Sequence, residues 1–282
     1  MSRPTPRRLA LPTVALASAM MMAACGSGAE AERAGATSAD GRAVITVAVT
    51  PVPHADILQF VDDELAADAG LDVEIVEFTD YVQPNVALDE GSVDANYYQH
   101  GVFLADQVQQ AGYDLVGLGP ISFQPMGLYS QSVTDLADLP DGATVAIPND
   151  PVNGSRGLKL LAQEGVITLA DPDAPVPTLL DVTDNPKDLR FEEVEAAQLP
   201  RSLADVDLAA VPGNYALDAD LSPRDDALVA EDTSDTTYAN QLVVRSDDVQ
   251  DERVQKLYEL LTSDAVRQYI QDTYDGAVVA AS

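Results

Sequence analysis

Residues 43–78, AVITVAVTPVPHADILQFVDDELAADAGLDVEIVEF, decide the fold class of this chain. The stretch begins with valine and isoleucine alternating with small residues, continues with apolar residues at helical spacing, and ends in a second alternating run. These periods predict a buried strand, a helix that stops at Gly70, and a second strand. A strand–helix–strand unit of this kind is typical of a mainly parallel, wound α/β sheet.

The same pattern continues along the chain. A short strand over 93–96, a helix over 101–113 and a strand over 114–122 follow, and a second series begins with a buried strand at 144–147 and a helix over 156–163. Polar residues gather after the strands of both series, which is where ligands bind in open α/β sheets. The sequence therefore predicts two α/β lobes that face each other across a cleft.

The composition excludes one class of partner. The 282 residues include 15 Lys and Arg against 47 Asp and Glu, a formal net charge of −32. Such a surface repels phosphate backbones, so we expect no nucleic-acid binding.

The N-terminus predicts export and lipidation. Three arginines precede sixteen uncharged residues and the only cysteine, Cys25. This order is typical of a signal peptide over 1–24, and the apolar run is shorter than the ~20 residues that span a bilayer. Cys25 resembles the cysteine of a bacterial lipobox, which becomes the acylated N-terminus. The alternative is ordinary secretory cleavage with a spare thiol. We expect a flexible tether over 25–42 and a lipid-anchored protein on the extracytoplasmic face of the cell membrane.

Catalytic and metal-binding patterns are missing from the sequence. His54 and His100 are the only histidines, and they lack H-x-x-H or H-x-H spacing. No G-x-S-x-G elbow, P-loop or G-x-G-x-x-G follows a strand. The sequence therefore predicts no enzyme activity, no cofactor and no metal site.

A candidate carboxylate receptor lies in NDPVNGSRGLKLL, residues 149–161. Arg156 is the first cation of this stretch, at the start of the predicted helix, with Asn153 just before it. A guanidinium holds a carboxylate through two parallel hydrogen bonds, and a helix N-terminus adds free N–H groups. The alternative is that Arg156 pairs with an acid of the chain.

Amide and aromatic side chains supply the rest of a candidate pocket. Asn214 and Asn240 flank predicted strands, and an amide can both donate and accept hydrogen bonds. Aromatic residues favour a polarizable thioether, although packing in the core is the alternative. These aromatic or histidine residues are Tyr81, Tyr97, Tyr98, His100 and Phe103.

Four stretches resemble the NlpA/MetQ family of lipoprotein substrate-binding components of methionine ABC transporters. They are FTDYVQPNVALDEGSVDANYYQH, VAIPNDPVNGSRGLKLL, TLLDVTDNPKDLRFEEVEAAQLPRSLADVDLAAVPGNYA and YANQLVV. The resemblance runs from about Ile45 to the C-terminus. It implies the type II periplasmic-binding-protein fold, in which two α/β lobes are joined by two crossing strands. Lobe 1 would comprise 43–130 and 233–282, and lobe 2 would comprise 131–232.

The resemblance also implies roles for the candidate residues. Arg156 would hold the methionine carboxylate, and Asn214 and Asn240 would hold the amino and carboxylate ends. The side-chain pocket would be lined by Tyr81, Tyr98 and His100, with Asn96 and Asn153 close by. His100 would be a neutral wall, and His54 would sit at the rim of the cleft.

The function expected on this basis is capture of L-methionine and its delivery to a permease driven by a cytoplasmic ATPase. One alternative keeps the fold and binds a methionine-containing dipeptide, D-methionine or another small apolar amino acid. A second alternative is a surface lipoprotein for adhesion or membrane interaction, without transport.

Overall fold

A computed structural model describes residues 36–281, in which strands and helices alternate. The strands are β1 Ala43–Val49, β2 Leu71–Glu77, β3 Ala95–His100, β4 Leu115–Phe123, β5 Gly127–Tyr129, β6 Thr144–Pro148, β7 Thr168–Leu169, β8 Val182–Asp184, β9 Arg190–Val194, β10 Leu208–Val211, β11 Val229–Ala230, β12 Asn240–Arg245 and β13 Val279–Ala280. The helices are α1 (the consecutive turns of 51–69), α2 Gln83–Asp89, α3 Gly101–Ala111, α4 Pro151–Gln163, α5 Leu199–Ser202, α6 Gly213–Asp218, α7 Glu252–Leu261 and α8 Asp264–Tyr274. Short 3₁₀ turns lie at Leu136–Asp138, Leu179–Asp181, Ala196–Gln198 and Ser246–Asp248.

The first sheet has six strands in the order β13-β4-β12-β3-β1-β2. β2, β1 and β3 are parallel, as the β1-α1-β2 pattern predicts, with Ala43 opposite Leu71 and Val47 opposite Ala95. β12 is antiparallel to both of its neighbours, β3 and β4. The chain reaches β12 directly from the other sheet. The connection is not a helix packed on the first sheet, so β12 is not part of a right-handed β-α-β crossover, the connection that joins parallel strands.

The second sheet has five strands in the order β11-β5-β10-β6-β9. β10, β6 and β9 are parallel, and β5 and β11 add an antiparallel edge. β7 and β8 form a separate two-stranded ribbon. The mixed sheets and the helices packed on them agree with the predicted two-lobe α/β fold.

Two segments connect the sheets, 124–126 after β4 and 231–239 before β12. They are hydrogen-bonded to each other, since Glu231 N donates to Met126 O at 3.0 Å. β5, which the predicted boundaries assign to lobe 1, pairs within the second sheet. The exact domain boundaries stay a prediction.

Each sheet has its own buried apolar cluster. In the first, Ile57, Leu58 and Val61 of α1 are fully buried against β1 and β2. The helical spacing of these residues puts them on one face, and Gly70 ends the helix with φ +73°. The second cluster joins β6 and β10 to the apolar face of α4.

Three elements differ from the sequence-based prediction. β3 extends to His100, beyond the end predicted from the sequence. All six of its residues are buried, so the alternation of apolar and polar residues that would mark the strand in the sequence is missing. α4 begins at Pro151, where the Asp150 side chain caps the helix by accepting from Asn153 N at 2.8 Å. The helical spacing over 251–274 predicts one C-terminal helix, whereas the structure has two, because Ser263 caps a second one.

The predicted signal peptide, Cys25 and most of the predicted tether lie outside the described residues. The described end of that tether, 36–42, folds back on β1, with Val44 N donating to Ala36 O at 3.0 Å. Arg42 fixes this turn through ion pairs with Asp40 and Asp72. Over the residues that the structure describes, no helix has the length and apolar character needed to cross a membrane.

Candidate functional site

A cavity lies between the two sheets, near the point where the crossing segments join them. About 320 Å³ of space, including open solvent at its mouth, is not filled by protein atoms. Most of its walls follow strand ends, as expected for an open α/β sheet. The lining residues are Tyr81, Tyr98, Gln99, His100, Phe103, Gln124, Asn153, Arg156, Pro212, Gly213, Asn214 and Asn240.

The structure brings seven of the eight predicted ligand-binding side chains to this cavity. They are Tyr81, Tyr98, His100, Asn153, Arg156, Asn214 and Asn240. Asn96 does not line it. The Asn96 side chain is buried in an amide cluster, where its Nδ2 donates to Asn85 Oδ1 and its Oδ1 accepts from Gln99 Nε2, both at 2.9 Å. Asn96 therefore supports Gln99, which does reach the cavity.

Arg156 is the one charged side chain in the lining among the described residues. Its Nε and Nη2 donate to the two carboxylate oxygens of Glu231 at 3.0 and 2.5 Å, so the predicted alternative, pairing with an acid of the chain, is present. Its Nη1 donates to Asn153 Oδ1 at 3.1 Å. Burial acts to lower the pKa of Arg156. The charge and the hydrogen bonds of Glu231 act in the opposite direction, and the net effect is a raised pKa.

The guanidinium keeps donors for a ligand. Of its five N–H groups, three serve Glu231 and Asn153, which leaves one on Nη1 and one on Nη2 without a partner in the described chain. Glu231 occupies the side of the guanidinium that contains Nε. The prediction that Arg156 lies at a helix start is wrong, because α4 begins five residues earlier.

Asn214 is oriented by a tyrosine from the other sheet. The Tyr81 hydroxyl donates to Asn214 Oδ1 at 2.5 Å, which leaves the Asn214 Nδ2 group as a donor facing the cavity. Gly213, beside it, packs so closely that a Cβ would lie 2.5 Å from Pro125 O. A glycine is therefore required where α6 approaches the first crossing segment, as its position in the sequence suggests.

Asn240 is oriented from behind by three neighbouring polar groups. Its Nδ2 donates to Tyr98 O and Gln124 Oε1 at 2.9 Å and lies 2.8 Å from His54 Nε2. The carbonyl of Tyr98 can only accept, so the nitrogen must lie on this side and Oδ1 is left for a ligand. The prediction that His54 sits at the rim is wrong: its side chain is fully buried behind Asn240.

His100 ends β3 and caps α3. Its Nδ1 accepts from Phe103 N at 3.1 Å, and its Nε2 lies 3.4 Å from Asn153 Oδ1. Burial, with a smaller effect of Arg156, lowers the pKa of His100 to about 3. This imidazole is therefore neutral at physiological pH.

An aromatic wall forms another part of the cavity lining, next to the amides. The ring centroids of Tyr81 and Tyr98 are 5.9 Å apart, and Phe103 lies 5.8 Å from Tyr81. Val152 completes this apolar cluster. Such a wall suits an apolar or thioether side chain.

Four polar or aromatic residues of the site were not among the predicted ligand-binding residues. Gln99 and Gln124 follow the rule that polar groups gather at strand ends, and that rule could have found them. Glu231 and Tyr238 carry no comparable signal in the sequence. The Arg156 guanidinium lies over the Tyr238 ring, 4.4 Å from the ring centroid. Among residues 36–281, no group of three or more metal-ligating side chains could hold a metal ion.

Comparison with known proteins agrees with this geometry. The NlpA lipoprotein family model matches residues 45–282. The D-methionine-binding lipoprotein MetQ of Salmonella typhi is 42% identical over 212 residues, which cover 74% of this chain and 78% of the relative.

Solved structures give the same result. A nutrient binding protein from Burkholderia cenocepacia bound to methionine has a TM-score of 0.81 and 42% identity, covering 84% of this chain and 100% of that one. A periplasmic substrate-binding protein of an ABC transporter from Coxiella burnetii has a TM-score of 0.80 and 40% identity, with coverages of 84% and 100%. The sequence match and the fold agree, and the chain belongs to the NlpA lipoprotein family.

Proposed function

We propose that the protein is the lipid-anchored, extracytoplasmic substrate-binding component of an ABC importer that captures L-methionine. The observation that carries this proposal is a cavity lined by an arginine, by oriented amides and by an aromatic wall. This combination matches an α-amino acid with an apolar side chain. The methionine-bound Burkholderia relative supports the choice of methionine.

The ligand would lie with its charged groups among the amides. The free N–H groups of Arg156 and the Nδ2 group of Asn214 are donors for the carboxylate, and Asn240 Oδ1 is an acceptor for the ammonium. The thioether would contact Tyr81, Tyr98 and Phe103. His100 is part of the wall and exchanges no proton.

Delivery requires the lobes to open and close. The ligand touches residues from both sheets, so it binds the closed form more tightly than the open form, and this difference in affinity drives closure. The closed protein would dock on a permease whose cytoplasmic ATPase drives import. The lipid on Cys25 would keep it at the membrane, with the segment after Cys25 as a tether.

D-methionine is a second candidate ligand. The Salmonella relative, which is 42% identical to this chain over 212 residues, is named for D-methionine. Both enantiomers carry the same carboxylate, ammonium and thioether groups, so the assay compares the two.

A thermal-shift assay on the protein without residues 1–25, freed of bound ligand by partial unfolding, tests the proposal. L-methionine at ~1,000 times its dissociation constant should add ~4 kcal/mol of stability. Arg156→Ala should abolish the shift, because the ligand carboxylate loses its charged partner.

Arg190→Ala, which removes an exposed arginine of β9, is the matched control and should leave the shift unchanged. A shift with D-methionine or a methionine dipeptide but none with L-methionine would change the ligand. The absence of any shift with amino acids or peptides would overturn the proposal.

A further inference from the structure

Glu231 lies directly behind the charged end of the cavity, without lining it. Its carboxylate accepts from Arg156 Nε and Nη2, and Oε2 also accepts from Met126 N at 2.8 Å. The side chain is 13% exposed. All of these partners are donors, so the carboxylate is held as an anion against the guanidinium.

The backbone holds Glu231 in place as well. Residue 231 follows β11 directly, at the start of the second crossing segment, and its N–H bonds to the first crossing segment at Met126. Arg156, on α4, is thereby fixed to the point where both segments leave the second sheet. Its remaining N–H groups can only point away from Glu231, toward the cavity.

The charges of Arg156 and of its ion-pair partner Glu231 cancel each other. Arg156 contributes the single positive charge of the lining, His100 is neutral, and Glu231 supplies one negative charge. Asp150, the next carboxylate, lies at the N-terminus of α4, where the helix end and the Asn153 amide offset it. An unbalanced charge is costly in a buried site, so a ligand that adds no net charge is favoured.

We propose that Glu231 determines the charge class of the ligand: by neutralising Arg156 from behind, it makes the closed cavity select a zwitterion over a simple carboxylate. This inference rests on the proposed function and adds to it. Without Glu231, Arg156 would leave a net positive cavity, and a monoanion would become the better match.

The test compares three forms of one side chain. L-methionine, its deaminated acid and its decarboxylated amine are titrated into the wild-type protein and into Glu231→Gln, a variant of nearly equal size. The wild type should bind the zwitterion best. In Glu231→Gln the ratio of affinities, zwitterion over acid, should fall by at least about tenfold. Leucine and its deaminated acid form a second pair with the same charges.

Two variants separate selectivity from stability. Asp94→Asn removes a similarly buried carboxylate that pairs with Arg253 and accepts from Thr46 N, far from the cavity. It should lower the melting temperature and leave the affinity ratio unchanged. Glu231→Asp keeps the charge and should keep the preference for the zwitterion, even if all affinities fall.

The outcomes are distinct. If the wild type binds methionine and Glu231→Gln keeps the affinity ratio, or lowers both affinities equally, the charge role is overturned while the proposed function stands. If the wild type prefers the acid or the amine, the charge role is also overturned. A wild-type protein that binds none of the compounds overturns the proposed function and this inference together.

Discussion

At the scale of single residues, the two histidines differ in which ring nitrogen faces a hydrogen-bond donor. His100 Nδ1 accepts from Phe103 N, so its proton must be on Nε2. His54 Nε2 faces the amide nitrogen of Asn240, so its proton must be on Nδ1, where it donates to Thr50 Oγ1 at 2.7 Å. The two imidazoles are therefore expected as opposite neutral tautomers.

Long-range ¹H–¹⁵N spectra of the imidazole rings test this directly, because the chain has two histidines. At pH 7, one ring should show a protonated Nδ1 and the other a protonated Nε2. The variants His54→Gln and His100→Gln assign the two signals. The same tautomer in both rings would contradict the orientation of Asn240 inferred from Tyr98 O.

Burial of the histidines also predicts how stability depends on pH. The pKa of each is lowered to about 3, whereas an unfolded histidine titrates near 6.5. Between these values the unfolded chain binds more protons, so this stability is complete above about pH 6.5 and is lost as the pH falls. From pH 7 to pH 5, each histidine should lower the free energy of unfolding by about 2 kcal/mol.

Urea denaturation at several pH values measures this loss. His100→Gln should remove about half of the dependence attributed to the histidines. Asp150, whose pKa is raised by burial, acts in the opposite sense, and the comparison of variants separates the two effects. Equal free energies of unfolding at pH 5 and pH 7 would contradict the prediction.

The residue scale also shows what the sequence could not reveal. Asparagines and tyrosines after strands could be assigned to a pocket because strand ends meet at one edge of a sheet. The partner of Arg156 could not be found, because Glu231 is 75 residues away and is one of 47 carboxylates. The depth of His54 could not be found either, since it depends on the return of β12.

At the scale of elements, the strongly periodic segments were predictable and the site-bearing ones were less so. α1 has clear helical spacing, and Gly70 gives its end. α4 starts in a polar stretch whose capping signal, Asp150 followed by Pro151, was read as a loop. The predicted boundary placed Asn153 in a loop and Arg156 at the helix start, whereas both lie inside α4.

The cap of α4 should therefore affect both stability and binding. Asp150→Ala should lower the free energy of unfolding by about 1 kcal/mol, the usual effect of losing an N-cap. It should also weaken methionine binding, because the Asn153 Nδ2 group loses both carboxylate acceptors, at 3.1 and 3.0 Å. Chemical denaturation and titration calorimetry measure the two effects.

Asp150→Ser separates these effects, since a serine can cap the helix but cannot hold the Asn153 amide in the same way. Stability should recover and affinity should not. Asp135→Ala removes the cap of an exposed turn, where Asp135 Oδ1 accepts from Ala137 N at 2.8 Å, and should leave affinity unchanged. Unchanged affinity in Asp150→Ala would show that the cap does not orient the site.

At the scale of the whole molecule, hydrogen bonds between the two lobes stabilise the closed form that the structure describes. The Tyr215 hydroxyl, from α6, donates to Thr79 O at 3.2 Å, and Tyr81 bonds Asn214. These bonds join residues after β2 in the first sheet to residues after β10 in the second. They must break when the lobes separate, so they set how much of the closed form exists before ligand binds.

Tyr215→Phe should consequently weaken ligand binding. Tyr215 does not line the cavity, so this effect does not come from a lost contact with the ligand. The variant loses one hydrogen bond of ~1 kcal/mol that exists in the closed form and not in the open form, so the population of the closed form falls. Where the closed form is the minor one before ligand binds, the apparent affinity falls by about fivefold. Stopped-flow measurements should assign the change to faster dissociation of methionine, and small-angle scattering should still detect compaction at saturating ligand. Tyr274→Phe, which removes a hydroxyl bonded to Asp56 within one lobe, is the control and should change neither quantity. If Tyr215→Phe binds methionine as tightly as the wild type, the contact between Tyr215 and Thr79 contributes nothing to closure.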